Sequence, residues 1–231
     1  MKVLAIESAS ITASCAVSDG DNILGEYTLS HKKTHSEKLM PLIEDLMNEL
    51  GIKLRDIDVI AVSEGPGSYT GLRIGAAIAK SMAYAADIPI ANIPTIKSLA
   101  GNIFDTDKLI VPIMDAKAGR VYTGIYKWEN DNIVAVKEQF PCNIDELIEL
   151  LNEFEETVIF NGDGSINYKN IIEEKLNRKP VFAPSKFNFL NASTLAYIGL
   201  RMAENKETVA ASVFKPQYLR LSQAERNNTR G

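Results

Sequence analysis

His31 and His35 stand four apart in His31-Lys32-Lys33-Thr34-His35, the spacing at which one helical face offers two imidazoles to a transition metal. Thr34 and Glu37, however, make the Thr-x-x-Glu pattern of a capping box, which predicts a helix beginning at Thr34. His31 then precedes the cap and His35 follows it, so one face need not carry both. Catalytic zinc takes three protein ligands, and the chain has only these two histidines. No metal site is expected.

A second segment with chemical potential is Gly65-Pro66-Gly67-Ser68-Tyr69-Thr70-Gly71-Leu72-Arg73-Ile74-Gly75. Glycines allow close backbone approach, Ser68 or Thr70 can cap a helix start, and free amides there can hold an anion. The segment lacks Gly-Lys-Ser/Thr, so it is not a nucleotide P-loop. A tight strand-to-helix turn and an anion site both stay open. In the third segment, Asn161-Gly162-Asp163-Gly164, the residues Gly162, Asp163 and Gly164 are the cofactor candidates, able to approach an adenosine nucleotide. The same pattern also describes a plain turn. No residue is nominated as acid, base or nucleophile.

Composition narrows the classes further. The 231 residues carry 25 Lys+Arg against 30 Asp+Glu, a formal charge of −5, with 45% hydrophobic residues. That is a globular balance, and an acidic one argues against a chain whose main task is gripping phosphate backbones. Basic residues are scattered apart from Lys32-Lys33 and Arg220, Arg226 and Arg230, and the polar stretch from Ser222 to Gly231 reads as a solvated tail. Two cysteines cannot build a disulfide framework, and Cys15 alternates with Ala13 and Val17 as a core thiol would. The opening apolar run is closed by Glu7, too short for a signal peptide, and no stretch approaches membrane-spanning length. A reducing cytoplasm is expected.

The elements that must position these segments are written twice. Asp21-Asn22-Ile23 returns as Asp131-Asn132-Ile133, each between strand-like runs. Strands are predicted at Val3–Ser8 and Leu109–Ala116, ending in Glu7 and Asp115, then at 12–18 and 120–128, and at 23–30 and 133–140. Helical spacing follows over 36–50 and 144–154, then strands at 59–63 and 158–161, then glycine-bearing loops that enter helices. The plan is an α/β fold of duplicated βββαβα halves, divided as residues 1–104 and 105–231. Ligands of such folds sit at the carboxyl ends of the strands.

Two helices of the first half offer an interaction surface. Met40 and Met47 widen an apolar face that already carries Ile43, and Met suits adaptable contacts. Over residues 71–86, Gly71, Gly75 and Ala79 put small residues at every fourth position, with Ile74, Ile78 and Met82 along an adjacent stripe. Burial against their own sheet and docking of a partner both account for this pattern.

As a pattern the glycine segment resembles the signature of the TsaB (YeaZ) family. The resemblance extends through Leu4-Ala5-Ile6-Glu7-Ser8, His35-Ser36-Glu37-Lys38-Leu39-Met40-Pro41-Leu42-Ile43, Asp115-Ala116-Lys117 and Pro216-Gln217-Tyr218-Leu219-Arg220. It implies an actin/Hsp70/sugar-kinase-like (ASKHA, ribonuclease H-like) superfold. It also implies a non-catalytic accessory subunit for N6-threonylcarbamoyladenosine at position 37 of tRNA. In that picture the chain pairs with TsaD, or with itself, through the helical face of Met40, Ile43, Met47, Gly71, Ile74, Gly75, Ile78 and Met82. A TsaE-type ATPase resets the assembly, tRNA is met only through the complex, and no membrane is involved. No nucleotide is expected on the chain alone, with ATP or ADP left open at the junction with TsaD. TsaD-like relatives carry a His-x-x-x-His metal pair after the glycine turn and its helix. Here Thr95 and Leu99 stand at those places in Pro94-Thr95-Ile96-Lys97-Ser98-Leu99. The alternatives are an ATP-dependent kinase-like enzyme, disfavoured by hairpins poor in glycine, and a glycoprotease-like metallopeptidase, disfavoured by the missing histidines.

Overall fold

The computed structural model describes residues 1–30 and 35–219. Its elements run β1 (Lys2–Glu7), β2 (Thr12–Asp19), β3 (Asn22–Ser30), α1 (His35–Glu49), β4 (Val59–Gly65), α2 (Tyr69–Ala86), β5 (Ile90–Pro94) and α3 (Thr95–Ala100). They continue as β6 (Leu109–Asp115), β7 (Arg120–Glu129), β8 (Asn132–Asn143), α4 (Ile144–Leu151), β9 (Val158–Asn161), α5 (Asp163–Asn167), α6 (Lys169–Lys175), β10 (Val181–Phe182) and α7 (Ala192–Glu204). The sheet orders are β3-β2-β1-β4-β5 and β10-β9-β6-β7-β8, the same order twice when strands are matched by position. The predicted βββαβα duplication is therefore present, and each copy adds a fifth strand, β5 or β10, that the periodicity did not reveal.

The repeated tripeptide marks one hairpin in each sheet. Asp19 pairs with Asn22 and Glu129 with Asn132, so the turns are Gly20-Asp21 and Asn130-Asp131. Two-residue turns of this kind need positive φ, which Gly20, Asn130 and Asp131 supply. The His31…His35 pair and the Thr34 cap involve residues outside those described, as does the tail from Arg220 onward. The helix itself begins at His35.

The first unit comprises residues 1–95 and 191–219 of the described chain. Central strands β1 and β4 run parallel and are buried on both faces, which is why they read as unbroken apolar runs. One face packs under α1 and α2 around Leu4, Ile6, Cys15, Val17, Ile60 and Val62. Burial pushes the Cys15 thiol up to about 12, as a core thiol requires.

The other face is built differently. Ala16, Ala5, Ala61 and Ala91 are register partners across β2, β1, β4 and β5, forming one row of alanines. Onto this shallow row sits α7, which packs across the same strands. Glu26 Oε1 accepts the amides of Ala192 (2.9 Å) and Ser193 (3.1 Å) at its start, where helix N–H groups lack intrahelical acceptors. Arg201 near its end pairs with Asp21 at 2.6 Å.

This placement corrects the division at 104/105. The second unit spans Ile96–Leu190 only, and α7 with the residues after it returns to the first. The reason is shape, because Gly199 of α7 lets the helix lie directly on Ala61 and Ala91 of the alanine row. The second unit has its own core of Val111, Ile113, Ile125, Leu147, Ile148 and Phe160. Helix α4 stops at Leu151, short of the predicted 154, and the helix after the glycine-bearing loop is broken into α5 and α6 at Tyr168. Among the described residues no helix is long and apolar enough to cross a membrane.

Candidate functional site

The glycine segment joins β4 to α2, and its chemistry is spent on the fold. Ser68 is the cap, its Oγ accepting the Gly71 amide at 3.2 Å. The Ser68 amide donates to the Ala9 carbonyl at 2.7 Å. Ser8 Oγ donates to the Gly71 carbonyl at 2.9 Å. A Cβ at Gly71 would lie 2.0 Å from the Ser8 carbonyl oxygen, and one at Gly75 2.3 Å from Ser8 Oγ. The glycines let the Ser8-Ala9 turn press onto the first turns of α2, and of the two open readings the tight turn is the one the contacts support.

Beneath this turn lies Glu7, fully buried. One carboxylate oxygen accepts the Ala9 amide at 2.6 Å and the other accepts the Ser63 hydroxyl. Burial pushes its carboxyl up to about 7, with those hydrogen bonds and one from the Ser8 amide pulling the other way.

Thr95, one of the two positions matched to a metal pair, is buried and its Oγ1 accepts the Gly65 amide at 3.2 Å. In the second unit, Leu99 is buried beside the Asn161-Gly162 turn: its carbonyl accepts Asn161 Nδ2 at 2.7 Å, and its Cδ2 would lie 2.9 Å from a Cβ at Gly162. Among the described residues no three His, Cys, Asp or Glu side chains are grouped to hold a metal ion.

The cofactor candidates are held by local packing. Cβ atoms at Gly162 and Gly164 would lie 2.3 Å from the Ile113 carbonyl oxygen and 2.4 Å from Ile113 Cγ2. The Gly162 amide donates to Asn188 Oδ1 at 3.0 Å. Asp163 Oδ1 accepts the Asp115 amide at 2.9 Å, and burial, with the nearby Asp115 charge, raises its carboxyl. Asp115 in turn accepts from the Lys117 amide at 2.8 Å, Tyr168 Oη at 3.1 Å and Asn167 Nδ2 at 3.1 Å. Burial alone would raise the Asp115 carboxyl, but these bonds to Lys117 and Tyr168, with the Lys117 charge, hold it below the usual carboxylate range.

The helical face divides into two sets. Ile43, Met47, Gly71, Gly75 and Met82 are buried in the first unit itself, a correction to their assignment as partner residues. Ile43, Met47 and Met82 lie in its core, and the two glycines are covered by Ser8. Met40 is 41% exposed, and Ile74 and Ile78 are half-buried. A different register of α2 faces outward: Ala77, Ser81, Tyr84 and Ala85 are exposed beside Ile74 and Ile78, and Tyr84 is 82% exposed. Those positions fall at i, i+3, i+4, i+7, i+10 and i+11, one face of a helix. Four-residue spacing located the buried stripe, and the small, poorly polar Ala77-Ser81-Ala85 series beside it was the missed signal.

Comparison with known proteins places this arrangement. A family model described as TsaD, tRNA N6-adenosine threonylcarbamoyltransferase, matches residues 22–228. The tRNA threonylcarbamoyladenosine biosynthesis protein TsaB of Bacillus subtilis is 35% identical over 225 residues, 97% of this chain and 96% of the relative. Among solved structures, a Pseudomonas aeruginosa protein described as similar to peptidase YeaZ superposes with a TM-score of 0.83 at 22% identity, covering 95% of this chain and 99% of that one. The (R)-2-hydroxyglutaryl-CoA dehydratase component A of Acidaminococcus fermentans superposes with a TM-score of 0.55 at 11% identity, covering 88% and 99%, a likeness of fold. With the TsaB likeness running nearly end to end, the chain belongs to the TsaB (YeaZ) family.

Proposed function

We propose that this protein is an accessory, non-catalytic subunit in the formation of N6-threonylcarbamoyladenosine at position 37 of tRNA, acting by binding a TsaD protein. The observation that carries the reading is the outward face of α2, where Ile74, Ala77, Ile78, Ser81, Tyr84 and Ala85 expose small and apolar groups to solvent. Small residues let a second helix approach closely, and a projecting Tyr is a common anchor of protein interfaces. Helix α1, packed beside α2, adds Met40. The B. subtilis relative's name and the TsaD family model both support the assignment to this modification.

The internal commitments of Thr95, Gly71 and Gly75 support a supporting rather than a catalytic part. In this reading the active centre, any ATP or ADP at the junction, and the contact with tRNA belong to the assembly with TsaD. A TsaE-type ATPase acts on that assembly in the cytoplasm, and self-association uses the same α2 face when TsaD is absent.

Ala77→Glu places a charge at the centre of the face without touching the core. The variant is expected to keep the wild-type circular dichroism spectrum and melting temperature while its affinity for TsaD falls at least a hundredfold. Modified tRNA should disappear from a reconstituted reaction in step. A folded Ala77→Glu protein that still co-elutes with TsaD would place the interface elsewhere. Met47→Asp, by contrast, buries a charge among Leu39, Ile43 and Ile60 and is expected to unfold the first unit.

A further inference from the structure

After α7 the chain runs back along the first unit and is fastened at successive points. Val209 and Ile90 exchange backbone hydrogen bonds of 2.8 Å in each direction, covering the outer edge of β5. Phe214 is buried, and its carbonyl accepts Lys80 Nζ from the middle of α2 at 2.9 Å. The Gln217 amide donates to the Glu64 carbonyl at 2.6 Å, at the end of β4. Gly65, at φ 121°, makes room for this: a Cβ there would lie 2.2 Å from the Gln217 carbonyl oxygen. Tyr218 then places its ring 4.9 Å from that of Tyr69, the first residue of α2, and the Arg73 guanidinium lies 5.4 Å from the centre of the Tyr69 ring.

We infer that residues 214–218 are a strap that positions the first two turns of α2 for partner binding, and that Tyr218 does this by packing its ring, tilted by 39°, against that of Tyr69. The inference rests on the reading of α2 as the partner face. The first turn of a helix has amides with no intrahelical acceptor and opens more readily than its middle. Here that turn begins with Tyr69, and Arg73 opens the next, which carries Ile74 and leads to Ala77 of the outward face. The strap crosses from the end of β4 to the first residue of α2, so it resists the opening that would tilt this face. Tyr69 and Tyr218 are each 44% exposed, so the ring contact adds little to the core and its effect is local.

The test compares four forms of the protein: wild type, Tyr218→Phe, Tyr218→Ala, and a chain ended after Lys215. Each is measured for amide hydrogen exchange across residues 69–76, for melting temperature, and for affinity to the TsaD protein of its own organism. The shortened chain and Tyr218→Ala are expected to exchange at least tenfold faster in that segment and to bind at least tenfold more weakly. Tyr218→Phe, which keeps the ring, should match wild type, and the melting temperatures should stay together. Unchanged exchange in the shortened chain overturns the strap. So does faster exchange with unchanged affinity, or a Tyr218→Phe variant as impaired as Tyr218→Ala. If the wild-type chain binds no TsaD at all, the partner reading falls, and exchange across residues 69–76 still judges the strap by itself.

Discussion

Gly199→Leu is expected to undock α7 and to cost on the order of 3 kcal/mol of stability, the upper range for forcing atoms into a packed core. A Cβ at Gly199 alone would lie 2.6 Å from Ala61 Cβ and 3.7 Å from Ala91 Cβ. Neither alanine can turn aside, because Ala61 on β4 and Ala91 on β5 are held by the register of their strands. The helix must therefore lift. Lifting it strains the contacts at both ends together, the Glu26 carboxylate on the first amides of α7 and the Arg201–Asp21 pair. Gly199→Ala separates the causes, since alanine favours helix by about 1 kcal/mol over glycine while adding only the clashing methyl. The expected order of urea midpoints is wild type, then Ala, then Leu. A Leu variant with the wild-type midpoint would show that α7 does not need the alanine row.

Glu7→Gln should remove a pH dependence of folding that wild type carries between about pH 4.5 and 7. The Glu7 carboxyl is pushed up to about 7 in the folded chain by burial, against an ordinary value of 4.5. Within that window the folded protein holds a proton that the unfolded chain has lost. Stability is thus full below the unfolded value, declines as pH rises through the window, and stays reduced above pH 7. Gln cannot ionise, and its carbonyl oxygen can keep the Ala9 amide while Ser63 turns its hydroxyl to accept. The two proteins should be nearly equal at pH 4.5, with the Gln variant more stable by roughly 2–3 kcal/mol at pH 8. Denaturant unfolding at half-unit pH steps reads this directly. Parallel wild-type and variant curves would mean that Glu7 stays ionised in the folded state throughout.

Much of the fold was legible because its signals are local. Val3 to Ile6 and Val59 to Val62 read as buried strands from their own side chains, and Asp21-Asn22-Ile23 with its repeat located two hairpins whose turn chemistry is written in adjacent residues. The same locality explains what was missed. Strand β5 is five residues long, and β10 only two, too short to show a period. The alanines at 5, 16, 61 and 91 look unremarkable one at a time. Their meaning is a row, and a row exists only once four strands are in register.

The face of α2 shows the same limit more sharply. Gly71 and Gly75 announce a close approach, but spacing cannot say what approaches. In the folded chain it is Ser8, more than sixty residues earlier and brought there by the pairing of β1 with β4. That contact turned the nominated stripe inward and left Ala77, Ser81 and Tyr84 outward.

By itself the sequence determined the duplicated α/β plan, the family likeness and the core thiol of Cys15, because each is carried by residue type and near spacing. Only the tertiary structure decided that α7 belongs to the first sheet, that Glu7 is fully buried, and that Tyr218 lies against Tyr69 at the start of α2. Those outcomes depend on which distant surfaces fit. Fit is a property of shape and burial that appears only when the chain has closed on itself.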